Sequence, residues 1–455
     1  MNESEFLKAV EKYATKILTD PQDTACYAYD ASNLECNPSA VLFADSAENI
    51  AAILKAANRY KTAVTPRGAG TSVAGGAVPT AGGVILNLSK MDRILEIDEE
   101  NLTATVQPGV VTYDLHQTVE KMGLFYPPDP GSVRMSTIGG NVAVNAGGPH
   151  CFKYGVTKDY VLGMEVVLPD GKIIRFGGKY IKDVSGLNLG SLFIGSEGIL
   201  GIITEITLRL IPLPQTQYTA LAVYESLQAA SDTVSAIVKN KIVPATMELM
   251  DQDTMKIIEQ ARHLGLPVHA AASLLIAVDG ATSQVESEIG LIEKICKNNG
   301  ATAVEIAKDV QQQERLWEGR RSANGAMSQS CKALIVEDAC VPRNKLTAMI
   351  VKMKEIANTY HFSCPVMGHS GDGNVHPHLL LQELTAEEWQ RADKAVDEIL
   401  KAAIELGGTV TGEHGIGIHK RKYMKWQFSP DTLGLMKTLK ETMDPNHVLN
   451  PHILL

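Results

Sequence analysis

The sequence predicts an α+β chain in two parts, and three features of it point there. From Ala40 to Pro214 short apolar runs alternate with glycine-rich turns, as one strand–helix–strand unit followed by closely spaced strands. From Tyr218 to about Glu305 apolar runs alternate instead with long amphipathic segments, the pattern of a smaller α/β cap with helices on one face of an antiparallel sheet. Between the two lie Pro212 and Pro214 of "IPLPQTQ", which suit a boundary. The reading is an N-terminal helical segment over 1–37, a first domain over 38–215, a cap over 216–408 and a C-terminal segment over 409–455 that packs back on the first domain.

Taken in order, "MNESEFLKAVEKYATKIL" reads as an amphipathic helix. "VLFA" reads as a strand, after which Asp45 and Ser46 cap a helix with Ile50, Ile53, Leu54 and Ala57 on one face. "TAVT" is the next strand, and Pro66 opens a glycine loop. "GVILNLS", "RILEID" and "TATVQPG" come next as strands. In the cap, the strands "TALAVY" and "SLLIAV" alternate with the helices "SLQAASDTVSAIVKN" and "ESEIGLIEKICKNN". A helix ending at Asp444-Pro445 closes the chain.

The bulk numbers limit the function. At 455 residues, 45% hydrophobic and 21% charged, the chain has the make-up of a globular protein. A net charge of −10 with no basic run argues against nucleic acid and against an anionic membrane surface. Seven cysteines, an odd number with no CxxC pair, read as reduced thiols rather than a disulfide framework. The start is not a signal peptide, and no apolar run approaches the roughly 20 residues that span a bilayer. The expectation is a cytoplasmic protein, at most peripheral to the inner face of a membrane.

Chemistry gathers in two kinds of motif. "PRGAGTSVAGG" runs from Pro66 to Gly76. Gly68, Gly70, Gly75 and Gly76 let the backbone approach a ligand and turn N–H groups inward as a nest for phosphate oxygens, while Thr71 and Ser72 add hydroxyls. A Cβ on Gly70 is expected to block that ligand. The loop runs into a strand rather than a helix, so it is no nicotinamide-type fingerprint. Further glycine clusters occupy Asp129 to Gly171 and "SLFIGSEGILGIITEITLRLIP". The other kind of motif is "GHSGDGNVHPH", Gly368 to His378, with three of the twelve histidines, and its distant counterpart "GGTVTGEHGIGIHKRKY". Together they offer His369, His376, His378, Glu413 and His414. Two imidazoles and a carboxylate suit one divalent ion, Zn²⁺, Fe²⁺ or Mn²⁺, with positions left open. His376 and His378 fall on one face of a strand over Val375 to Leu380. "RLWEGRRSANGA" adds Arg315, Arg320 and Arg321, and a guanidinium grips a carboxylate through two parallel hydrogen bonds.

In order and spacing, the three glycine clusters resemble the FAD-binding domain of the vanillyl-alcohol oxidase / p-cresol methylhydroxylase superfamily. With the histidine motifs, the chain from about Pro38 to Pro451 is similar to its glycolate oxidase D subunit, D-lactate dehydrogenase and D-2-hydroxyglutarate dehydrogenase branch. The resemblance implies a two-part FAD-binding domain with an α/β, ferredoxin-like cap, and FAD bound non-covalently although His150 and Cys151 lie beside the flavin segment. It implies that Pro66, Arg67, Gly68, Ala69, Gly70, Thr71, Ser72, Gly75 and Gly76 hold the pyrophosphate. Ser136, Thr137, Gly139, Gly140, Asn141 and Gly147 would line the flavin, with Glu197, Gly198 and Ile203 towards the adenine and ribose. Pro130, Gly131, Ala143, Gly148, Tyr154, Gly155, Ile202 and Asn450 complete the cofactor contacts. It makes His369, His376 and Glu413 metal ligands, His414 the base and Arg320 the substrate-facing arginine. His378 touches substrate or orients a neighbour. Lys420 and Lys422 are surface or flavin-phosphate contacts.

The activity implied by the resemblance is oxidation of a 2-hydroxy acid, D-lactate or glycolate, to the 2-oxo acid. The electrons would leave to an electron-transfer flavoprotein, an iron–sulfur subunit, a quinone or a cytochrome. A homodimer and a hetero-complex both remain open. D-2-hydroxyglutarate would need a second cation in the pocket. A flavin alcohol or phenol oxidase would not need the histidine motifs, a non-enzymatic electron relay would not need Arg320 and His414, and a metal-free dehydrogenase would use the histidines as acid–base groups alone.

Overall fold

Strand Ala40–Phe43 is buried along its whole length, and helix Ala47–Tyr60 follows at once because the Ser46 side chain accepts from the Asn49 amide. Both belong to the first of two compact units in the computed structural model, which describes residues 3–455. The described residues of this unit are 3–147, 156–213 and 413–455. Its smaller sheet pairs Ala40–Phe43, Val84–Asn87 and Val64–Arg67 in parallel, with Lys16–Leu18 antiparallel at the edge. Its second sheet is antiparallel throughout, in the order Ile94–Asp98, Thr103–Val106, Ile202–Arg209, Val161–Val167, Ile173–Gly177. Ile50, Ile53 and Leu54 of the helix share one core with Leu42 and Leu86 of the first sheet and Val167 and Ile202 of the second. Phe6 and Val10 of helix Glu3–Val10 join that core.

The N-terminal segment differs from the expectation of a single helix. The helix stops at Val10, and "KIL" pairs as a strand with Val41–Phe43. An open sheet edge offering unmet backbone groups outcompetes the helical pattern of the charged residues. At the other terminus Val64 donates to the Val448 carbonyl and Asn450 to that of Val64, so the tail is part of this unit.

The second unit comprises residues 148–155 and 214–412. Its sheet begins with Ala301–Ile306, Thr216–Tyr224, Ala272–Gly280 and Thr246–Asp251, side by side and antiparallel. Taken in chain order these are the fourth, first, third and second strands, the ferredoxin-like arrangement. Val366–His369, Asn374–Leu381 and Ala333–Val336 extend the sheet beyond Thr246–Asp251. Helices cover both faces rather than the one expected. Leu221 and Val223 pack with Leu316 and Met327 of helix Val310–Gln329 and with Met255 of helix Gln252–Arg262. Tyr224, on the alternate face, meets Thr233 of helix Leu227–Lys239 and Cys296 of helix Thr282–Asn298. The unbroken burial of Thr219–Tyr224 and Ala272–Asp279 is the sequence-level trace of a sheet covered twice. No described helix is long and apolar enough to cross a membrane.

Candidate active site

In the first unit the glycines mark where chain segments press together. Gly68 lies on Thr137, whose Oγ1 an added Cβ would approach to 2.4 Å, and Gly198 (φ 73°) lies on Pro66, at 2.6 Å from its Cγ. Gly139 is packed on Pro108 in the same way, at 2.4 Å. At Gly70 (φ 74°) the added Cβ would meet the Arg67 guanidinium, 2.0 Å from Nη2, so the first obstacle there is the loop's own arginine rather than a ligand. Arg67 is buried and folds back to donate from Nη1 to the Ala77 carbonyl at 3.2 Å. A glycine-rich loop with a buried cation folded beside it is of a kind that suits a diphosphate. Ser72 Oγ accepts from the amides of Ala74 and Gly76 and holds the turn.

Several expected cofactor contacts have their side chains engaged within the protein. Asn141 Nδ2 donates to Thr112 Oγ1 at 2.7 Å, and Ser136 Oγ lies 3.2 Å from that same oxygen. Ile202 sits in the hydrophobic core. Asn450 Nδ2 donates to the carbonyls of Gly76 and Glu197, at 3.0 and 2.8 Å, and so ties the tail to two glycine segments. Gly131 is exposed, and a Cβ there would meet open space. Gly148, Tyr154 and Gly155 group with the second unit, where the Tyr154 hydroxyl donates to Asp279 Oδ2 at 2.9 Å and Lys153 pairs with the same carboxylate.

Glu197, expected at the adenine end, does something else with its carboxylate. Its two oxygens accept from the Ile416 and Gly417 amides, both at 2.8 Å. Its own backbone is left-handed (φ 50°) and its amide donates to the Ala143 carbonyl. Glu197 thereby fixes the loop that carries Glu413 and His414, a loop that turns at Gly415 (φ 84°) and Gly417 (φ 51°). Lys420 is buried, not a surface residue.

In the second unit, "GHSGDGNVHPH" is more regular than its glycines suggest. Val366–His369 is a strand that returns through Gly373 (φ 85°) into Asn374–Leu381. In that register His369 faces Asn374, and His376 lies diagonally on the same face; the imidazole centroids are 5.2 Å apart. The turn is pinned from below, since Ser370 donates from both its amide and its hydroxyl to the Met247 carbonyl. His378 is fully buried, with Nε2 at 3.1 Å from Asn324 Oδ1. Gly412, the residue before Glu413, is anchored beside this hairpin: its amide donates to the buried Asp338 at 2.6 Å, and a Cβ there would approach the Asn374 side chain to 2.7 Å.

The residue that sequence reasoning missed is Glu248. It is fully buried, pairs across the sheet with His369, and holds His369 Nδ1 at 2.6 Å through Oε1. Its Oε2 accepts from Arg320 Nε at 2.7 Å. Burial alone would raise this carboxyl, but His369 and Arg320 outweigh it and hold it at about 2. The available signal was an acid inside the apolar strand "TMELMD", where a charge requires partners. Arg315 and Arg321 are half-exposed and paired with Glu305 and Glu314.

Residues 38–177 match the family model described as FAD binding domain, and residues 213–453 match FAD linked oxidases, C-terminal domain. The chain is 47% identical over 426 residues to glycolate oxidase subunit GlcD of Bacillus subtilis, covering 93% of this chain and 91% of that one. It is 37% identical over 427 residues to D-lactate dehydrogenase of Anaerostipes hadrus, covering 92% and 89%. Its fold is that of p-cresol methylhydroxylase with substrate bound, at a TM-score of 0.80 and 19% identity over 99% of this chain and 96% of that one.

Proposed function

Because the chain belongs to the FAD-linked oxidases and is a flavin-dependent oxidoreductase, we propose that it oxidises a small 2-hydroxy acid, D-lactate or glycolate, to the 2-oxo acid. The observation that carries this reading is the single carboxylate of Glu248 spanning His369 and Arg320. It sets a metal-ligating type of side chain and a carboxylate-gripping one within reach of one another, which suits a substrate whose carboxylate and hydroxyl are on adjacent carbons. The relatives named glycolate oxidase subunit and D-lactate dehydrogenase support the same class of substrate.

Each motif has its own role in this reaction. The glycine loop of Arg67 to Gly76 holds the cofactor, and FAD when bound supplies the hydride acceptor. His369, His376 and Glu413 hold one divalent cation, which would lower the pKa of the substrate hydroxyl. Arg320 grips the substrate carboxylate. Its Nε is committed to Glu248, so the grip is end-on through the two Nη groups. His414 removes the hydroxyl proton, and the Glu197 clamp on Ile416 and Gly417 steadies the loop from which it acts. His378, bonded to Asn324 one turn beyond Arg320, braces that helix against the histidine strand. Arg315 and Arg321 already neutralise glutamates, which disfavours a second substrate carboxylate and hence 2-hydroxyglutarate. Electrons pass to a separate acceptor, an electron-transfer flavoprotein, an iron–sulfur subunit or a quinone, and the enzyme works in the cytoplasm.

The test is anaerobic mixing of the yellow protein with D-lactate, L-lactate, glycolate and D-2-hydroxyglutarate while the flavin absorbance is monitored. D-lactate or glycolate should bleach it fastest. His414→Asn should keep the flavin and slow the bleaching by about 10²–10⁴-fold. If none of the four acids bleaches the parent, the substrate class is wrong.

A further inference from the structure

We propose that Glu248 is the positioning residue of this site, setting the tautomer of His369 and the orientation of Arg320 with one carboxylate, an assignment that rests on the proposed 2-hydroxy acid oxidation. An ionised carboxylate only accepts hydrogen bonds. The 2.6 Å contact to His369 Nδ1 therefore places a proton on Nδ1, which makes Nε2 the nitrogen that would ligate a cation. The other oxygen, at 2.7 Å from Arg320 Nε, fixes the plane of the guanidinium. Glu248 has no exposed surface, so neither partner exchanges it for water.

Apart from those two partners its strand surroundings are largely apolar. Glu248 stands in the middle of strand Thr246–Asp251, between Leu275 on one side and His369 on the other. Its strand neighbours Met247, Leu249 and Met250 are apolar and buried. A carboxylate is retained there at a desolvation cost that a leucine or methionine would not incur. Bracketed by a histidine of the hairpin and an arginine of helix Val310–Gln329, it couples the cation-binding half of the site to the anion-binding half. Losing it should disturb both halves at once, whereas losing Arg320 should disturb only one.

The experiment compares Glu248→Gln, Arg320→Ala and the parent as flavin-loaded proteins. In protein with ¹⁵N-labelled histidine, long-range ¹H–¹⁵N spectra should show His369 carrying a proton on Nδ1 in the parent, and E248Q should lose that signature. Zn²⁺ affinity, measured by competition with a chromophoric chelator, should fall about 10–100-fold in E248Q. D-lactate affinity should fall about tenfold in the same variant. R320A should weaken D-lactate alone and leave Zn²⁺ within about twofold of the parent. An E248Q protein that keeps the tautomer, the Zn²⁺ affinity and the D-lactate affinity overturns the assignment. A parent that binds no Zn²⁺ but whose His369 tautomer depends on Glu248 overturns the metal-site reading and leaves the positioning role standing. Should E248Q not fold, Glu248→Asp tests the same point. It keeps the charge but is one methylene too short to reach both partners, so retention of both affinities in it also overturns the assignment.

Discussion

Glu197 shows how one side chain can serve two ends of a chain. It lies in the glycine cluster "GSEGILG", yet its carboxylate caps the amides of Ile416 and Gly417, more than two hundred residues on. Burial raises the carboxyl from 4.5 to about 7, and the two amides and Lys420 only partly oppose it. The native state therefore keeps a proton that the unfolded chain releases near 4.5. The stabilisation from that proton is full below about 4.5 and is lost as pH rises through 7. Glu197→Gln, neutral at every pH, should remove this dependence. Thermal unfolding of the flavin-loaded proteins from pH 4.5 to 8 should show the parent's midpoint falling relative to the variant's across that window. A constant difference would mean that Glu197 is ionised throughout. At the same scale, Gly70→Leu should give colourless protein, for two reasons: the backbone is at φ 74° and the Arg67 guanidinium occupies the space a side chain needs.

Among the elements, the tail depends on one buried ion pair. Lys440 of helix Pro430–Met443 donates to Asp444 at 2.5 Å and to the carbonyls of Ile199 and Leu449, both at 2.8 Å. Asp444 in turn accepts from the amides of Val448 and Leu449. Lys440→Met would strand that carboxylate, at a cost of about 3–5 kcal/mol read by urea unfolding. It should also loosen the flavin, because the tail delivers Asn450 to Gly76 and Glu197. Full stability and normal flavin content in K440M would show that the pair does not hold the tail. How far such elements were legible depends on their cause. Helix Ala47–Tyr60 was legible because Ser46 and the apolar face are local signals. Strand Lys16–Leu18 was not, since only its neighbour in the sheet selects it. The glycine loop could be read because backbone conformation demands glycine, and His369 and His376 because three histidines crowd one short stretch of sequence. Glu248 carries no such local mark: its meaning lies in His369 and Arg320, which reach it from distant parts of the sequence.

At the scale of the whole molecule, the glycine loop of Pro66 to Gly76 and the histidine hairpin belong to different compact units of one chain. Each unit has its own core and its own polar anchors: Glu197, Asn450 and Lys440 in the first, and Glu248, Asp338 and Ser370 in the second. The expected FAD contacts and the proposed cation ligands share no residue, so the cofactor and the proposed cation should be separable. A chelator should therefore strip the cation and leave the protein yellow, since no expected FAD contact is a histidine or Glu413. In that state D-lactate should no longer bleach the flavin, because His369 and His376 have nothing with which to hold the acid's oxygens. Dithionite, which needs neither Arg320 nor the histidines, should still bleach it. Return of Zn²⁺, Mn²⁺ or Fe²⁺ should restore bleaching to different extents, as ions of different Lewis acidity and preferred geometry meet the same two imidazoles and one carboxylate. His376→Ala should behave like the chelated protein and resist rescue by added ion, because the second imidazole is gone. Chelated protein that turned over D-lactate at the parent's rate would leave the buried histidines as acid–base or structural groups, and Arg320 with His414 would have to position the acid unaided.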